Sequence, residues 1–495
     1  VTRITPEQQT VREISAAADL DAAALADLGG RVARFVIDRF VNTGEYPRAP
    51  VDALSGLASS GDSGAEAAGG TLIFTHLVEG LSDQFSPLLA DLYDRVFAQI
   101  IQHQRQIPGA GELDERLRAF GLSTEEDIYS RRLAIRHRGV PQPPAPGSLG
   151  RIVVLSRVTL GADVAVTSVL LGRLREIHPD TPITLIAPRR IRELFAQDPG
   201  IEILESPYPR RGPLVDRLLV WVRMMKSIGT LEGPGTLFVD PDSRLTQLGL
   251  LPLTRNDAMY RIFESRTLGA GTEACLGQLA ADWAARTFGG PESPGPYIRL
   301  GANHIEIGKA TAGRMRGSGG RRIVAISFGV GGNTDKRSGD VFERGLVLGI
   351  LAQGHRIVLD LGIDSDLERS RSLLAELRAQ GVRVLEAGPG RIDIPGDMPV
   401  DVLAWDGGVG QFSALVREAD LYAGYDSAFQ HIAAALDVPV VAVVLGSPGP
   451  VFRARWTPYS EAPVRVVPSL YTQDPEDPED LAARALDSVS ELLGA

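Results

Sequence analysis

Four short loops concentrate the side chains that could do chemistry. The first, Ser156-Arg157-Val158-Thr159-Leu160-Gly161-Ala162-Asp163, puts a carboxylate at a helix start, where it can face a cleft and take a proton or simply cap the helix. Gly161 is expected to supply a backbone angle that other residues avoid. The second, Gly329-Val330-Gly331-Gly332-Asn333-Thr334-Asp335-Lys336-Arg337, can turn successive backbone N–H groups toward phosphate oxygens, with the Lys336 ammonium as a point charge. Its plain alternative is a flexible turn with solvated Lys336 and Arg337. In the third, Asp426 and Ser427 feed an apolar helix carrying His431, which suits a diphosphate, although Asp426 also reads as a cap and His431 as a core histidine. The fourth, Val239-Asp240-Pro241-Asp242-Ser243-Arg244, can orient an acceptor hydroxyl or serve only as a turn.

All four loops gain weight from what precedes them. Short β-branched runs at 151–156 and 322–328, each followed by a glycine-containing turn, a helix (164–177 and 341–353) and another buried run (183–186 and 356–360), are βαβ units. Further strands are expected at 236–238, 382–386, 421–423 and 438–445. Two such units imply two parallel sheets covered by helices, and ligands of such sheets gather at the carboxyl ends of the strands. Residues 5–138 instead carry apolar positions three and four apart, such as Leu28, Val32, Phe35, Val36 and Phe40, which reads as helices. Within them, 59–70 is rich in Gly, Ser and Ala and is expected to be a loop. The prolines Pro141, Pro143, Pro144 and Pro146 mark a linker.

A net charge of −11 argues against nucleic acid as the main partner. Lysine is used only at 226, 309 and 336, so its appearance at the end of a glycine loop departs from the habit of an Arg-rich chain. The seven histidines show no His-x-x-x-His spacing, and Cys275 has no second cysteine, so no metal site is expected and Cys275 reads as filler. No run of ~20 apolar residues and no signal-like start are present, which points to a cytoplasmic protein with contact at the inner membrane face left open.

Together the loops resemble glycosyltransferase family nine, the ADP-heptose:lipopolysaccharide heptosyltransferases of the GT-B fold, from residue 151 to the C-terminus. The family's opening strand and Leu-Gly-Asp turn resemble 152–163, lengthened here by Ala162, which implies Asp163 as general base toward the acceptor hydroxyl. Its Asp-x-Gln-Gly-x-x-Lys-Ser turn resembles 240–247, with Thr246 where the family tends to have Lys, so Arg157, Asp240 and Asp242 fall on the acceptor side. Its phosphate loop resembles 331–336, and its Asp-Ser-Gly-x-x-His-x-Ala-Ala-Ala segment resembles 426–435. This implies donor contacts at Gly331, Gly332, Thr334, Lys336, Asp426, Ser427 and His431.

The implied architecture is α/β, GT-B type: a helical region (1–140), a linker (141–150), and two facing Rossmann-like domains, 151–315 on the acceptor side and 316–495 on the donor side. The implied activity is inverting, metal-independent transfer of a sugar, a heptose among the candidates, from a nucleoside-diphosphate sugar to a hydroxyl. An ADP-sugar is the favoured donor, and no cofactor is implied. The expected partners are that donor, the acceptor, and a protein or second copy engaged through the helical region. Two other readings remain open: a non-catalytic sugar-nucleotide sensor or scaffold, and an NAD-dependent oxidoreductase, since Gly329-x-Gly331 follows a strand and Asp360 ends the next.

Overall fold

Apolar runs too short for helices become buried parallel strands when helices cover both faces of a sheet. The computed structural model describes residues 4–494 except 140, 210–211, 291–294, 318, 332, 364, 389–399, 447–448 and 470–475. Among the described residues, the first sheet comprises β1 (Arg151–Leu155), β2 (Ile183–Ala187), β3 (Ile201–Glu205), β4 (Thr236–Asp240) and β5 (Tyr260–Ile262), in the order β3-β2-β1-β4-β5. The second comprises β6 (Ile323–Ser327), β7 (Arg356–Asp360), β8 (Val384–Ala387), β9 (Val402–Trp405), β10 (Leu421–Tyr425), β11 (Val440–Val444) and β12 (Val464–Pro468), in the order β12-β11-β10-β6-β7-β9-β8. Every pairing is parallel.

Each order reverses beside its first strand, between β1 and β4 and between β6 and β10. Such a switch point leaves a crevice outside the strand ends, because the flanking connections run to opposite sides. All four loops of interest follow those four strands.

Alternation along β1 divides the core of the first sheet. Ile152 and Val154 face the helices Ser168–Ile177 and Leu276–Phe288, while Val153 and Leu155 face the helical N-terminal region and the helix Leu214–Ile228. The helical region therefore shares one continuous core with that sheet: Leu28, Val32, Val96 and Ile100 belong to the same cluster as Phe238 and Ile262. The second sheet is covered by the helices Asp340–Ala352, Ser365–Ala379 and Pro478–Leu493 on one face, and by Ala302–Arg316 and Val409–Arg417 on the other.

The loop expected over 59–70 is a helix in its second half, Ser63–Thr71. Asp62 caps it, accepting from the Ala65 N–H at 2.8 Å. Its glycines serve close packing: a Cβ on Gly69 would stand 2.6 Å from the Ala58 backbone nitrogen. A wide π-type turn, Leu72–Val78, follows, and the short helix Glu79–Ser82 leads to the helix Pro87–Gln104.

Candidate active site

Asp163 is neither a helix cap nor open to solvent. Thr159 is the residue in extended conformation before Leu160–Ala162, and the helix widens into a π-type turn at Asp163–Thr167 before continuing as Ser168–Ile177. This points the carboxylate back at its own strand end. Oδ2 accepts from Ser156 Oγ at 2.6 Å, and Oδ1 accepts from the Arg157 N–H at 2.7 Å and Thr167 Oγ1 at 2.8 Å. Burial pushes the carboxyl up to about 6 even though these donors favour its charged form.

Gly161 differs from its expected role as well. It lies in ordinary helical conformation, and its missing side chain allows the two domains to meet: a Cβ there would stand 3.1 Å from Ala428 Cα and 3.4 Å from His431 Cδ2. Asp163–Thr167 packs on the same helix, Ala428–Ala434. Asp163 thus sits at the seam between the domains, covered in this closed arrangement.

The loop after β4 is tied to the loop after β1. Arg157 Nη1 donates to the Pro241 carbonyl at 2.6 Å, and Ser243 Oγ donates to the Ser156 carbonyl. Burial pulls the Arg157 guanidinium down to about 10 against the attraction of Asp242. Asp240 accepts from the Ser243 N–H, Thr246 Oγ1 (both 2.6 Å) and the Tyr260 hydroxyl (2.8 Å), and burial pushes it up to about 6. Thr246 therefore spends its hydroxyl on Asp240. Asp242, in a left-handed conformation (φ 69°), accepts from Ser265 Oγ at 2.6 Å and pairs with Arg266. Burial opposes its charge, but Arg266 and Arg157 outweigh that and hold it below the ordinary carboxylate range.

In the second domain the decisive contact is between loops. Lys336 Nζ lies 2.7 Å from Asp426 Oδ2, joining the loops after β6 and β10 across the switch point. Asp426 Oδ1 accepts from Gln430 Nε2 at 2.5 Å, so Asp426 is held from two sides and does not cap; Ser427 takes the cap position without a side-chain cap bond. Lys336 and Arg337 are not loosely solvated, because Arg337 is paired with Glu343 and Asp340.

The expected row of free N–H groups is mostly spent. Those of Asn333, Lys336 and Arg337 bond within the turn, and that of Asp335 bonds to Asn333 Oδ1. Gly331, in left-handed conformation (φ 63°), and Thr334 stand exposed beside them, while Gly332 lies outside the described residues. His431 is buried, with Nε2 3.3 Å from Gln430 Nε2 and its ring 6.0 Å from that of Trp456. Burial lowers its pKa to about 4, so it is neutral. Asp360 accepts from Ser327 Oγ at 3.0 Å, and burial pushes it up to about 6.

Residues 403–476, which hold Asp426, Ser427 and His431, match the sequence model of glycosyltransferase family 9 (heptosyltransferase). This segment is similar to that family. The crystal structure of the family 9 glycosyl transferase from Veillonella parvula DSM 2008 aligns with 70% of this chain and 98% of its own, at a TM-score of 0.50 and 14% identity, a likeness of fold. ADP-heptose lps heptosyltransferase II of E. coli aligns with 69% of this chain and 98% of its own (TM-score 0.45, 18% identity). The E. coli heptosyltransferase WaaC with ADP aligns with 70% and 99% (TM-score 0.44, 13% identity). No protein of curated function matches the sequence. The protein is a sugar-transferring enzyme of GT-B fold, and among the described residues no helix is long and apolar enough to cross a membrane.

The helical region reaches the cleft, which sequence reasoning missed. Arg244 Nη1 lies 3.1 Å from the Tyr93 hydroxyl. Glu79, open to solvent yet surrounded by protein, is pushed up to about 7 by desolvation and then by Asp83, against the pull of Arg244 and Lys336. Asp83 is also raised, by desolvation, against the pull of Arg266, Arg244 and Lys336. Glu79, at the start of the short helix, and Asp83, just after it, thus feel charges from both domains. Asp94, Arg132, Arg136 and Glu264 form an ion network that binds the helical region to the first domain, with Arg136 Nη2 2.8 Å from Asp94 and Arg132 Nη1 2.5 Å from Glu264.

Proposed function

We propose that this enzyme transfers a sugar from a nucleoside-diphosphate sugar to an acceptor hydroxyl with inversion and without a metal, using Asp163 as base and Lys336 at the leaving group. The observation that carries the reading is the Lys336–Asp426 pairing at the switch point of one sheet, facing the Asp163 turn at the switch point of the other. Phosphate oxygens share the ammonium with Asp426, and Gly331, Thr334, Ser427 and His431 frame the donor pocket around it; Gly332, expected to join them, lies outside the described residues. Arg157, Asp240 and Asp242 shape the acceptor side. A lysine supplies the positive charge that the departing diphosphate needs.

In the transfer step the acceptor hydroxyl gives its proton to Asp163, and the oxygen attacks the anomeric carbon opposite the diphosphate. The carbon–oxygen bond to the diphosphate breaks, and its electron pair leaves on the phosphate beside Lys336. Attack opposite the leaving group inverts the centre. A carboxylate with a pKa near 6 is ionised at neutral pH yet basic enough to take the proton. The acceptor reaches Asp163 when the domains part. Ser156, Arg157 and Thr167 all belong to the same domain as Asp163, so its orientation survives opening.

Asp163→Asn is expected to lower transfer ~10²–10⁴-fold while leaving donor affinity unchanged. Near-normal transfer by that variant would remove Asp163 from the mechanism. A thermal-shift comparison of ADP-, GDP-, UDP- and dTDP-sugars identifies the nucleotide, because ligand bound to the folded state raises its apparent stability.

A further inference from the structure

One aromatic residue of the helical region meets the second domain beside the proposed donor cradle. Phe85 is buried (6% exposed) in the turn between Glu79–Ser82 and Pro87–Gln104. Its backbone is left-handed (φ 50°), a conformation that a bulky residue holds only when its surroundings over-determine it. Its ring centroid lies 6.4 Å from that of Phe452 in the second domain, with the planes tilted by 54°. The Arg455 guanidinium sits 5.8 Å from the Phe85 centroid and donates to the Gly269 and Ala274 carbonyls of the first domain.

Phe452 is the link to chemistry. Its ring centroid is 5.8 Å from Lys336 Nζ, close enough for the π face to attract the ammonium, and 6.3 Å from the Trp456 centroid. Phe452 therefore has Phe85 near one part of its surface and the donor-side lysine near another.

We propose that Phe85 is a positioning residue for donor binding: carried in by the helical region, it seats Phe452, whose face holds the Lys336 ammonium where the leaving diphosphate forms. The backbone strain at Phe85 is then the cost of delivering a ring into the seam from a helical region that otherwise packs on the first sheet. Glu79 and Asp83, close to it in the chain, feel the Lys336 charge, as a segment beside the cradle must. The inference rests on reading Lys336 as the donor-phosphate contact.

Calorimetry on the full chain with ADP, GDP, UDP and dTDP, continued with whichever binds, tests both layers. It compares the native chain, Phe85→Ala, Phe85→Tyr, Lys336→Ala and the Phe85→Ala/Lys336→Ala double variant, with thermal unfolding alongside. Phe85→Ala is expected to weaken the diphosphate about fivefold, and Phe85→Tyr to restore it. In the Lys336→Ala background Phe85→Ala adds nothing, because a residue acting through the ammonium has lost its means. Unchanged affinity in Phe85→Ala, or an equal further loss in the double variant, overturns the positioning role and leaves the donor reading standing. No diphosphate binding, or Lys336→Ala without effect, overturns the donor reading and the positioning role with it. Should Phe85→Ala unfold, Phe85→Leu, which keeps apolar volume but loses the ring, replaces it in the cycle.

Discussion

The two halves of the cleft handle charge in opposite ways. In the first domain Asp163, Asp240 and Asp242 are buried and bonded to groups of that same domain. In the second, Lys336 keeps 23% of its side chain exposed and meets Asp426 in a pair that a ligand can enter. A locked side keeps a base in one orientation without help from substrate, whereas an exchangeable side lets an anionic leaving group replace an internal partner. Under the proposed function, the contrast teaches that the acceptor side is preorganised by burial and the donor side by availability.

The most severe way to break the contrast is to unlock the first domain. Asp242→Asn keeps a residue that accepts the left-handed conformation but leaves Arg266 and Arg157 without their countercharge. Breaking a buried pair in this way costs roughly 3–5 kcal/mol. Chemical denaturation should show that loss; a change under 1 kcal/mol would mean that water reaches the pair and the first domain is not locked.

Acid divides the two halves by sign. Asp163 and Asp240 titrate near 6 when folded, against an ordinary 3.8, so their stabilising neutral forms are fully present below 3.8 and are lost as pH rises through 6. His431 titrates near 4 against an ordinary 6.5, so its contribution is present above 6.5 and is lost as pH falls toward 4. Between pH 4 and 6.5 the two halves therefore pull stability in opposite directions, each on the order of 1 kcal/mol or more. Asp240→Asn should make the slope of Tm against pH more positive across that window, and His431→Gln should make it more negative. Slopes shifting in the same direction would contradict the assignment.

Much of this arrangement is legible in the sequence, for a reason. β1, β4, β6, β7 and β10 are apolar runs bounded by polar turns, so the loops after them, with Asp163, Lys336 and Asp426, could be placed at strand ends before any coordinates. β3 and β12 escaped because edge strands carry outward charges, Glu202, Glu205 and Arg465, that break an apolar run. β5 escaped because it is three residues long. The role of Gly161 was illegible: a glycine needed for a left-handed angle and one needed for close approach look the same in a sequence. So was the reach of Glu79, Asp83 and Phe85 into the cleft, since helical periodicity says which face is buried but not what buries it. The helix over 63–71 was hidden because glycines that permit helix contact also imitate a loop.

A smaller effect sharpens the donor side. Asp426→Asn removes the internal competitor for the Lys336 ammonium and a negative charge beside the expected diphosphate. It should cost about 1 kcal/mol or less of stability, because the pair is partly open to water. Diphosphate affinity should rise about threefold, a change of under 1 kcal/mol. Weaker binding in calorimetry would show that Asp426 holds Lys336 in place rather than competing for it, and that the donor side is as preorganised as the acceptor side.

The smallest expected effect tests the seam itself. Gly161→Ala places a methyl group against Ala428 and His431, a distance at which neighbours must give by a few tenths of an ångström. Within the first domain the same change favours the helix by up to about 1 kcal/mol, since alanine is the better helix former. Crowding acts only when the domains meet, whereas the helical gain is present whether they meet or not. The substitution should therefore shift the balance toward the open form while leaving Tm nearly unchanged. Small-angle X-ray scattering should report a slightly larger radius of gyration, and turnover should fall by a factor of about two to three, as a shift of roughly 0.5 kcal/mol implies. An unchanged radius with full turnover would mean that the contact at Gly161 yields freely, and that closure of the cleft is governed elsewhere, with Phe85 and Arg455 the next place to look.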